Sequence, residues 1–246
     1  MTPESTVLRK LYLFPLSNVT LPLPGGRMLE MVSGCYLVET SDGRKILVDS
    51  GMNDDAPRPA GAPPARNHKN VLQHLQDLGL APPDINMVIS THFDVDHAGY
   101  HDAFPDAEHI VQREHYELAR GGHPRFAQAR AHWDHPALRY RLVEGDTELL
   151  PGLTLLETSG HAPGHQSVLL QLPRTGPVLL AIDAAILQST FTPERKTSPY
   201  DDNEEQLRAS TRKLLALAAS RKLALVIFGH DGAQWQMLKK SPDYYD

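Results

Sequence analysis

The chain of 246 residues contains 41% hydrophobic and 22% charged residues, so it can bury a sizeable core, and we expect one domain across residues 1–246. Its net charge of −6 offers no basic field to attract nucleic acid or an anionic membrane, and it has no apolar run typical of a signal peptide or membrane span. The single cysteine, Cys35, excludes an internal disulfide, and its apolar neighbours predict a strand core. A reducing, cytoplasmic location is therefore expected.

The predicted elements alternate between short apolar strands and amphipathic helices. The proline-rich stretch Ala56–Arg66 can only be a surface loop, and the chain between the second helix and about Arg141 has no regular pattern. The order predicts the α/β class, as an αββα sandwich in which helices cover the outer faces of two packed mixed β-sheets. In chain order the elements are strands Leu8–Phe14, Gly34–Thr40 and Lys45–Asp49, helix Asn70–Leu80, strand Ile85–Ser90, helix Glu114–Arg120, strands Thr154–Glu157, Ser167–Gln171 and Val178–Ile182, helix Asn203–Ser220 and strand Ala224–Phe228.

Several strands end in residues that commonly bind metals. The strand at 85–90 runs into THFDVDHAG (residues 91–99), and later strands lead to His161, Asp183 and His230. Ligands placed just beyond a rigid strand are held by the sheet while staying open to substrate, as a catalytic metal requires. The remaining histidines are interpreted as ordinary surface or core residues without a converging acid: His68, His74, His101, His109, His115, His123, His132 and His135.

These motifs resemble the metallo-β-lactamase superfamily, and within it the quorum-quenching N-acyl-homoserine lactonases. The superfamily pattern is H-x-H-x-D-H, a Gly-His, an Asp and a last His; here it reads His92-x-Asp94-x-Asp96-His97, then His161, Asp183 and His230. The segments KLYLFPL, CYLVET, ILVDSGM, SGHAPGHQSVLL, FGHD and LKKSPDYYD also look like the lactonases, so the resemblance spans nearly the whole chain.

The resemblance implies two divalent metal ions that hold a hydroxide between them, and this hydroxide would be the nucleophile that opens a lactone ring. Asp96 and Asp183 would be the catalytic carboxylates, with Asp183 bridging the ions. No serine or cysteine nucleophile is visible. The implied ligands are His92, Asp94 and His161 for one ion, and Asp96, His97 and His230 for the other.

Asp94 stands where the superfamily has a histidine. As a ligand it would make the cluster of two ions, three carboxylates and one hydroxide neutral, whereas histidine would leave about one positive charge. Zinc is the expected metal, although the oxygen ligand shifts preference toward manganese or iron. We expect Asp94 to bind metal, because its charge would otherwise have no partner; the alternative is that the shorter side chain fails to reach.

Residues outside the ligand set are expected to support it. His165, Asp49 and Asp231 would orient ligands. Closing the loop is an alternative role for His165, and a capping or turn role is an equal alternative for the two aspartates. Lactonases commonly place a tyrosine three residues after the bridging aspartate, where this chain has Ile186, and Tyr200 is the alternative source of a hydroxyl. Loss of one such donor costs roughly 10²–10³ in rate.

The apolar stretch Pro15–Val32 lacks a clean period and is predicted to be an irregular arm that contacts an acyl chain or a second subunit of a homodimer. Leu21, Leu23 and Met28 are its predicted substrate contacts. The leading hypothesis is an acyl-homoserine lactonase. The alternatives are hydrolysis of another lactone, ester, thioester or phosphodiester, a flavodiiron-type oxidoreductase, and a non-catalytic metal-binding protein.

Overall fold

The computed structural model describes residues 7–57 and 65–246, and its strands form two sheets. Both are mixed: the strands at 45–48, 87–89, 108–112 and 139–143 run parallel in the first sheet, as do those at 176–182 and 225–228 in the second, while the other pairs are antiparallel. Within the described residues the first sheet contains, in spatial order, β4 Ala65–Asn67, β1 Leu8–Pro22, β2 Met28–Thr40, β3 Lys45–Val48, β5 Met87–Ile89, β6 Glu108–Gln112 and β7 Arg139–Val143. The second contains β12 Leu225–Phe228, β11 Gly176–Ile182, β10 Gln166–Leu172, β9 Leu153–Glu157 and β8 Thr147–Leu150.

The two sheets stack because alternate side chains of their strands are apolar on the inner face. Leu11 and Leu13 of β1 share one buried core with Val168 and Leu170 of β10. Phe14, from the other face of β1, belongs to a second core on the outside of the first sheet. Since successive side chains of a strand point to opposite faces, each sheet has an outer apolar face that needs a cover.

Helices provide that cover. Helix α1 (Val71–Asp77) packs Val71 on the first sheet, and α4 (Glu204–Arg221) packs Leu214 on the second. The predicted αββα sandwich is confirmed. The shorter helices are α2 Arg113–Arg120, α3 Arg130–Trp133 and α5 Gly232–Met237. None of the helices in the described ranges is long and apolar enough to span a membrane.

The arm Pro15–Val32 is not irregular, so that prediction is wrong. It is the outer half of the β1–β2 hairpin, in which Val19 pairs with Met31. A register shift between Pro15 and Ser17 interrupts the alternation of side chains, which hides the strand period in the sequence.

Every predicted strand overlaps an observed one, but four short strands were not expected. Strand β4 begins inside the predicted loop Ala56–Arg66, of which residues 58–64 lie outside the described residues. Strand β7 lies partly in the stretch predicted to be irregular. Strands β6, β7 and β8 carry charged residues among their few apolar ones, as in EHIVQ, RYRLV and TELL, and four or five residues are too few for periodicity to emerge.

We expect Trp133→Ala to lower the free energy of unfolding by about 3–5 kcal/mol, the usual effect of removing a buried large aromatic side chain. Trp133 is fully buried, stacks on Phe93 at 4.6 Å between ring centroids and donates from Nε1 to the carbonyl of Phe126 at 2.9 Å. Urea unfolding measures the change. Met237→Ala is the control, because Met237 is 85% exposed and should change stability by less than about 0.5 kcal/mol. Equal stability of the two variants would contradict this assignment of the core.

Candidate metal centre

Strands from both sheets bring the predicted ligands together around Asp183, which directly follows β11. The Asp183 carboxylate lies 3.1 Å from Nε2 of His230, 3.2 Å from that of His161, 3.7 Å from that of His97 and 4.0 Å from that of His92. Four imidazoles thus face one buried carboxylate beyond the ends of strands from both sheets.

The side chains form two groups in which the ligand atoms lie within 4.8 Å of one another. The groups are His92, His161 and Asp183, and Asp96, His97 and His230. Together they contain six of the seven predicted ligands, and Asp94 is the one outside both.

Buried polar atoms that lack hydrogen-bond partners indicate whether these residues suit a metal ion. Among the described residues, His92 Nε2, His97 Nε2 and Asp183 Oδ1 are buried without a hydrogen-bond partner. A buried polar atom without a partner is costly, and divalent cations bound to the two groups would satisfy these three atoms. Imidazole nitrogens and carboxylate oxygens are ordinary ligands of zinc, manganese and iron. The residues therefore fit a divalent metal site.

Three of the four imidazoles are oriented by a carboxylate or carbonyl at Nδ1, which leaves Nε2 facing the centre. Nδ1 of His97 bonds to Asp49 Oδ2 at 2.8 Å, and that of His161 to Asp201 Oδ1 at 3.0 Å. Nδ1 of His230 bonds to the backbone carbonyl of Val32 at 2.8 Å. A carboxylate or carbonyl in this place fixes the tautomer so that Nε2 carries the lone pair a metal needs.

Of the three supporting residues expected, Asp49 and His165 lie at the centre. Asp49 also accepts from the backbone N–H and the hydroxyl of Thr91, at 2.8 and 2.7 Å, and so ties His97 to the residue before His92. His165 Nε2 accepts from the backbone N–H of Asp183 at 3.3 Å, so it positions the backbone of Asp183 rather than its carboxylate. Asp231 instead caps α5 by accepting from Gln234 N at 3.0 Å, and the capping alternative holds for it.

Sequence reasoning missed Asp201 and Arg195. Besides holding His161, Asp201 lies 3.5 Å from the guanidinium of Arg195, which is almost fully buried and donates to the carbonyls of Asp183 and Ala184. The two residues thereby join the loop before α4 to the backbone of the central carboxylate. Asp201 stands before a predicted helix, where an acid is expected as a cap, so the sequence carried no signal for this role.

His115, which was expected to be an ordinary surface or core residue, connects two loops that carry metal ligands. His115 is fully buried; its Nε2 accepts from the backbone N–H of Phe93 at 2.9 Å and its Nδ1 donates to the carbonyl of Pro163 at 2.6 Å. It therefore links the loop of His92 to the loop of His161. The core interpretation is right for His115, whereas the statement that no acid converges on these histidines is wrong for His132, which lies 2.9 Å from Asp102.

The charges at the centre shift the pKa values of its groups in opposite directions. Burial lowers the pKa of His230, but the carboxylates of Asp183 and Asp96 outweigh it and raise that pKa to about 9. Burial opposes ionisation of Asp183, yet the facing imidazoles of His230, His97 and His161 hold its pKa well below the usual range. Burial dominates for His165, with neighbouring imidazoles acting in the same direction, so its pKa falls well below normal. His165 is thus a neutral acceptor for the backbone N–H of Asp183.

The backbone is strained at Ile182, the residue directly before Asp183. Ile182 has φ 51°, a left-handed conformation that is rare for a β-branched residue and costs of order 1–3 kcal/mol. Gly229 packs against this turn, and a Cβ added there would lie 2.7 Å from Asp183 Oδ1. The surrounding structure therefore holds a strained backbone that places the central carboxylate.

Asp94 is bound by an arginine that the sequence did not single out. Arg125 donates from Nε to Asp94 Oδ1 at 2.7 Å and from Nη2 to Asp94 Oδ2 at 2.5 Å. The expectation that only a metal could balance this charge is wrong, because a bidentate guanidinium already does so. Asp94 Oδ2 nevertheless lies 3.3 Å from His92 Nε2 and 3.4 Å from His161 Nε2. Its place as a ligand stays a prediction.

A cavity of about 640 Å³ extends from the ligands along the β1–β2 hairpin. Its lining includes Val19, Leu21 and Met31 of the hairpin, with Ile186 and Tyr200 near the ligands. Of the five substrate contacts expected, Leu21, Ile186 and Tyr200 line it. Leu23 and Met28 are not among its lining residues in the described chain, and Met28 is 59% exposed.

Comparison with known proteins agrees with this geometry. Residues 30–230 match the model of the metallo-beta-lactamase superfamily. An N-acyl homoserine lactonase from Bacillus sp is 34% identical over 96% of this chain and 99% of its own length. The crystal structure of a quorum-quenching N-acyl homoserine lactone lactonase aligns with a TM-score of 0.85 at 32% identity, covering 97% of this chain and 99% of that one.

A third match is the structure of an N-acyl homoserine lactone hydrolase that has the product N-hexanoyl-L-homoserine bound at its catalytic metal centre. It aligns with a TM-score of 0.85 at 31% identity and covers 97% of this chain and 100% of that one. The match to the family model and the identity to full-length relatives show that this protein belongs to the N-acyl homoserine lactonase family of the metallo-beta-lactamase superfamily.

Proposed function

We propose that this protein is a metal-dependent hydrolase that opens the lactone ring of N-acyl homoserine lactones. The observation that carries the proposal is the pair of ligand groups around Asp183, placed at the end of a largely apolar cavity. Full-length relatives that are named for this activity support the substrate class. The cytoplasmic location and the homodimer stay predictions from the sequence.

We propose that the centre binds two divalent ions, which we propose to be zinc, and the two ligand groups support this number. His92 and His161 would hold one ion, His97 and His230 the other, and Asp183 would contact both. When bound, such ions polarise a carbonyl oxygen and lower the pKa of water toward neutrality. The protein's part is to fix the ligands, which Asp49 and Asp201 do through Nδ1 of His97 and His161.

Asp96 is the residue best placed to move a proton. Opening the lactone forms a bond between water oxygen and the acyl carbon and breaks the bond from that carbon to the ring oxygen; the water loses a proton and the ring oxygen gains one. The Asp96 side chain is 24% exposed and lines the cavity. A carboxylate has two oxygens, so one can face a cation while the other carries the proton between these positions.

The hairpin wall would bind the acyl chain. Val19, Leu21 and Met31 present apolar groups along the cavity, and an acyl chain buried there gains about 0.8 kcal/mol per methylene. Near the ligands, Ile186 offers no hydroxyl. Tyr200 lines the same cavity and is 75% exposed, and we propose that its hydroxyl contacts the substrate.

The proposal is tested by incubating metal-loaded protein with N-decanoyl homoserine lactone and following the proton released when the ring opens. We expect ring opening that is lost after dialysis against a chelator and returns when zinc is added. Absence of ring opening by protein that carries two equivalents of zinc would rule out this function.

Asp49→Asn should lower zinc affinity about 10–100-fold, the usual effect of changing a residue that orients a ligating histidine. The reason is that Asp49 fixes Nδ1 of His97. Competition with a chromophoric chelator measures the affinity, and excess zinc should restore lactone hydrolysis. Asp77→Asn is the matched control, since Asp77 pairs with Lys69 on the surface. Unchanged affinity in Asp49→Asn would show that Asp49 does not support the centre.

Leu21→Asp should raise KM for a dodecanoyl lactone about tenfold while leaving KM for a butanoyl lactone nearly unchanged, because a charge on the cavity wall removes apolar contact only from the longer chain. Met28→Asp, on the same hairpin but outside the cavity lining, should change neither. The measurement is the KM of both variants for both substrates, which shows whether Leu21 contacts the acyl chain. An equal change for the two substrates in Leu21→Asp would assign Leu21 to folding or to a subunit contact.

A further inference from the structure

Arg125 makes more polar contacts with the ligand loops than the neutralisation of Asp94 requires. It lies in the short turn between α2 and α3, and its side chain is 19% exposed. In addition to the fork on Asp94, Nη1 donates to the carbonyl of His161 at 2.7 Å and to that of Tyr200 at 2.8 Å. The guanidinium is therefore fixed between three segments of the chain.

The remaining contact of Arg125 involves a metal ligand directly. Nη2 lies 2.8 Å from His161 Nε2. Because Nδ1 of His161 bonds to the Asp201 carboxylate, the neutral imidazole that binds a metal carries its proton on Nδ1 and its lone pair on Nε2. That lone pair accepts from the guanidinium, and it is the same lone pair that a cation held by His92, His161 and Asp183 would need.

The other ligand group has no such competitor. Asp96 lies 3.7 Å from His97 Nε2 and 3.8 Å from His230 Nε2. Among the described residues, the ion pairs of Asp96 involve only these two histidines, and a hydroxyl, Ser33 Oγ, is its hydrogen-bond donor at 3.4 Å. A cation can enter this group without displacing a positive side chain.

We propose that Arg125 makes the two metal positions unequal: its guanidinium competes with a cation for His161 and Asp94, so the position at Asp96, His97 and His230 binds metal tightly and the other binds weakly. This inference rests on the metal centre proposed above. Filling the weak position requires Arg125 to give up its bond to His161 Nε2 and releases Asp94 to act as a ligand. Arg125 is thus a positioning residue that sets metal occupancy.

The test is a titration of metal-free protein with zinc in competition with a chromophoric chelator. Wild type should bind two equivalents in two steps whose affinities differ at least tenfold. Arg125→Gln, which keeps a hydrogen-bond donor but removes the charge, should strengthen the weak step at least tenfold and change the tight step less than threefold. Arg125→Lys keeps the charge but cannot form the bidentate pair with Asp94. The affinity of its weak step should therefore lie between those of wild type and Arg125→Gln.

Arg130→Gln is the control, since Arg130 pairs with Asp134 at 3.0 Å in the neighbouring helix and should leave both steps as in wild type. Circular dichroism of each variant checks that it is folded. Two equal steps in wild type, or a weak step that is unchanged or weakened in both Arg125 variants, would overturn the inference. Lactone hydrolysis by the same samples separates the two proposals: unequal steps without hydrolysis would support the role of Arg125 while refuting the lactonase function.

Discussion

The burial of the Asp183 carboxylate among four imidazoles is the interaction on which the rest of the site depends. A buried carboxylate is stable only with opposite charge or hydrogen bonds around it, and the four imidazoles that face Asp183 come from three other strand ends in the two sheets. The strained backbone at Ile182, the close approach of Gly229 and the bond from His165 to the Asp183 backbone all serve to place this one group. The sandwich is the frame that brings these strand ends to a common edge.

The aspartate in the THFDVDHAG motif has an electrostatic explanation that involves a residue 31 positions away. A neutral histidine and an Asp94–Arg125 ion pair carry the same net charge. With the pair counted as a unit, a cluster of two divalent ions keeps about the charge that the histidine motif would give it. The cluster would therefore carry about one positive charge while the ion pair is intact, and the neutral cluster expected from the sequence applies once Asp94 is released to a cation. Compared with the histidine motif, the positive charge would have a different position. Part of it belongs to the Arg125 side chain, which five hydrogen bonds fix in place.

Most of the fold and the ligand set could be predicted because both follow local rules. Strands such as VLLAI are read from their apolar runs, and a ligand that follows a strand directly stays next to it in the folded chain. The hairpin at 15–32 could not be recognised, since its register shift breaks the period and one of its faces lines a cavity instead of a core. Arg125, Asp201 and His115 were missed for another reason: their partners lie 31, 40 and 48 residues away, in loops whose mutual position only the tertiary structure determines.

The central claim is that these side chains hold two cations on opposite sides of Asp183. Anomalous diffraction from crystals grown with saturating zinc tests it most directly. The account predicts two peaks, one enclosed by His92, His161 and Asp183 and the other by Asp96, His97 and His230. A single peak at saturating zinc, or peaks bound by other side chains, would contradict it.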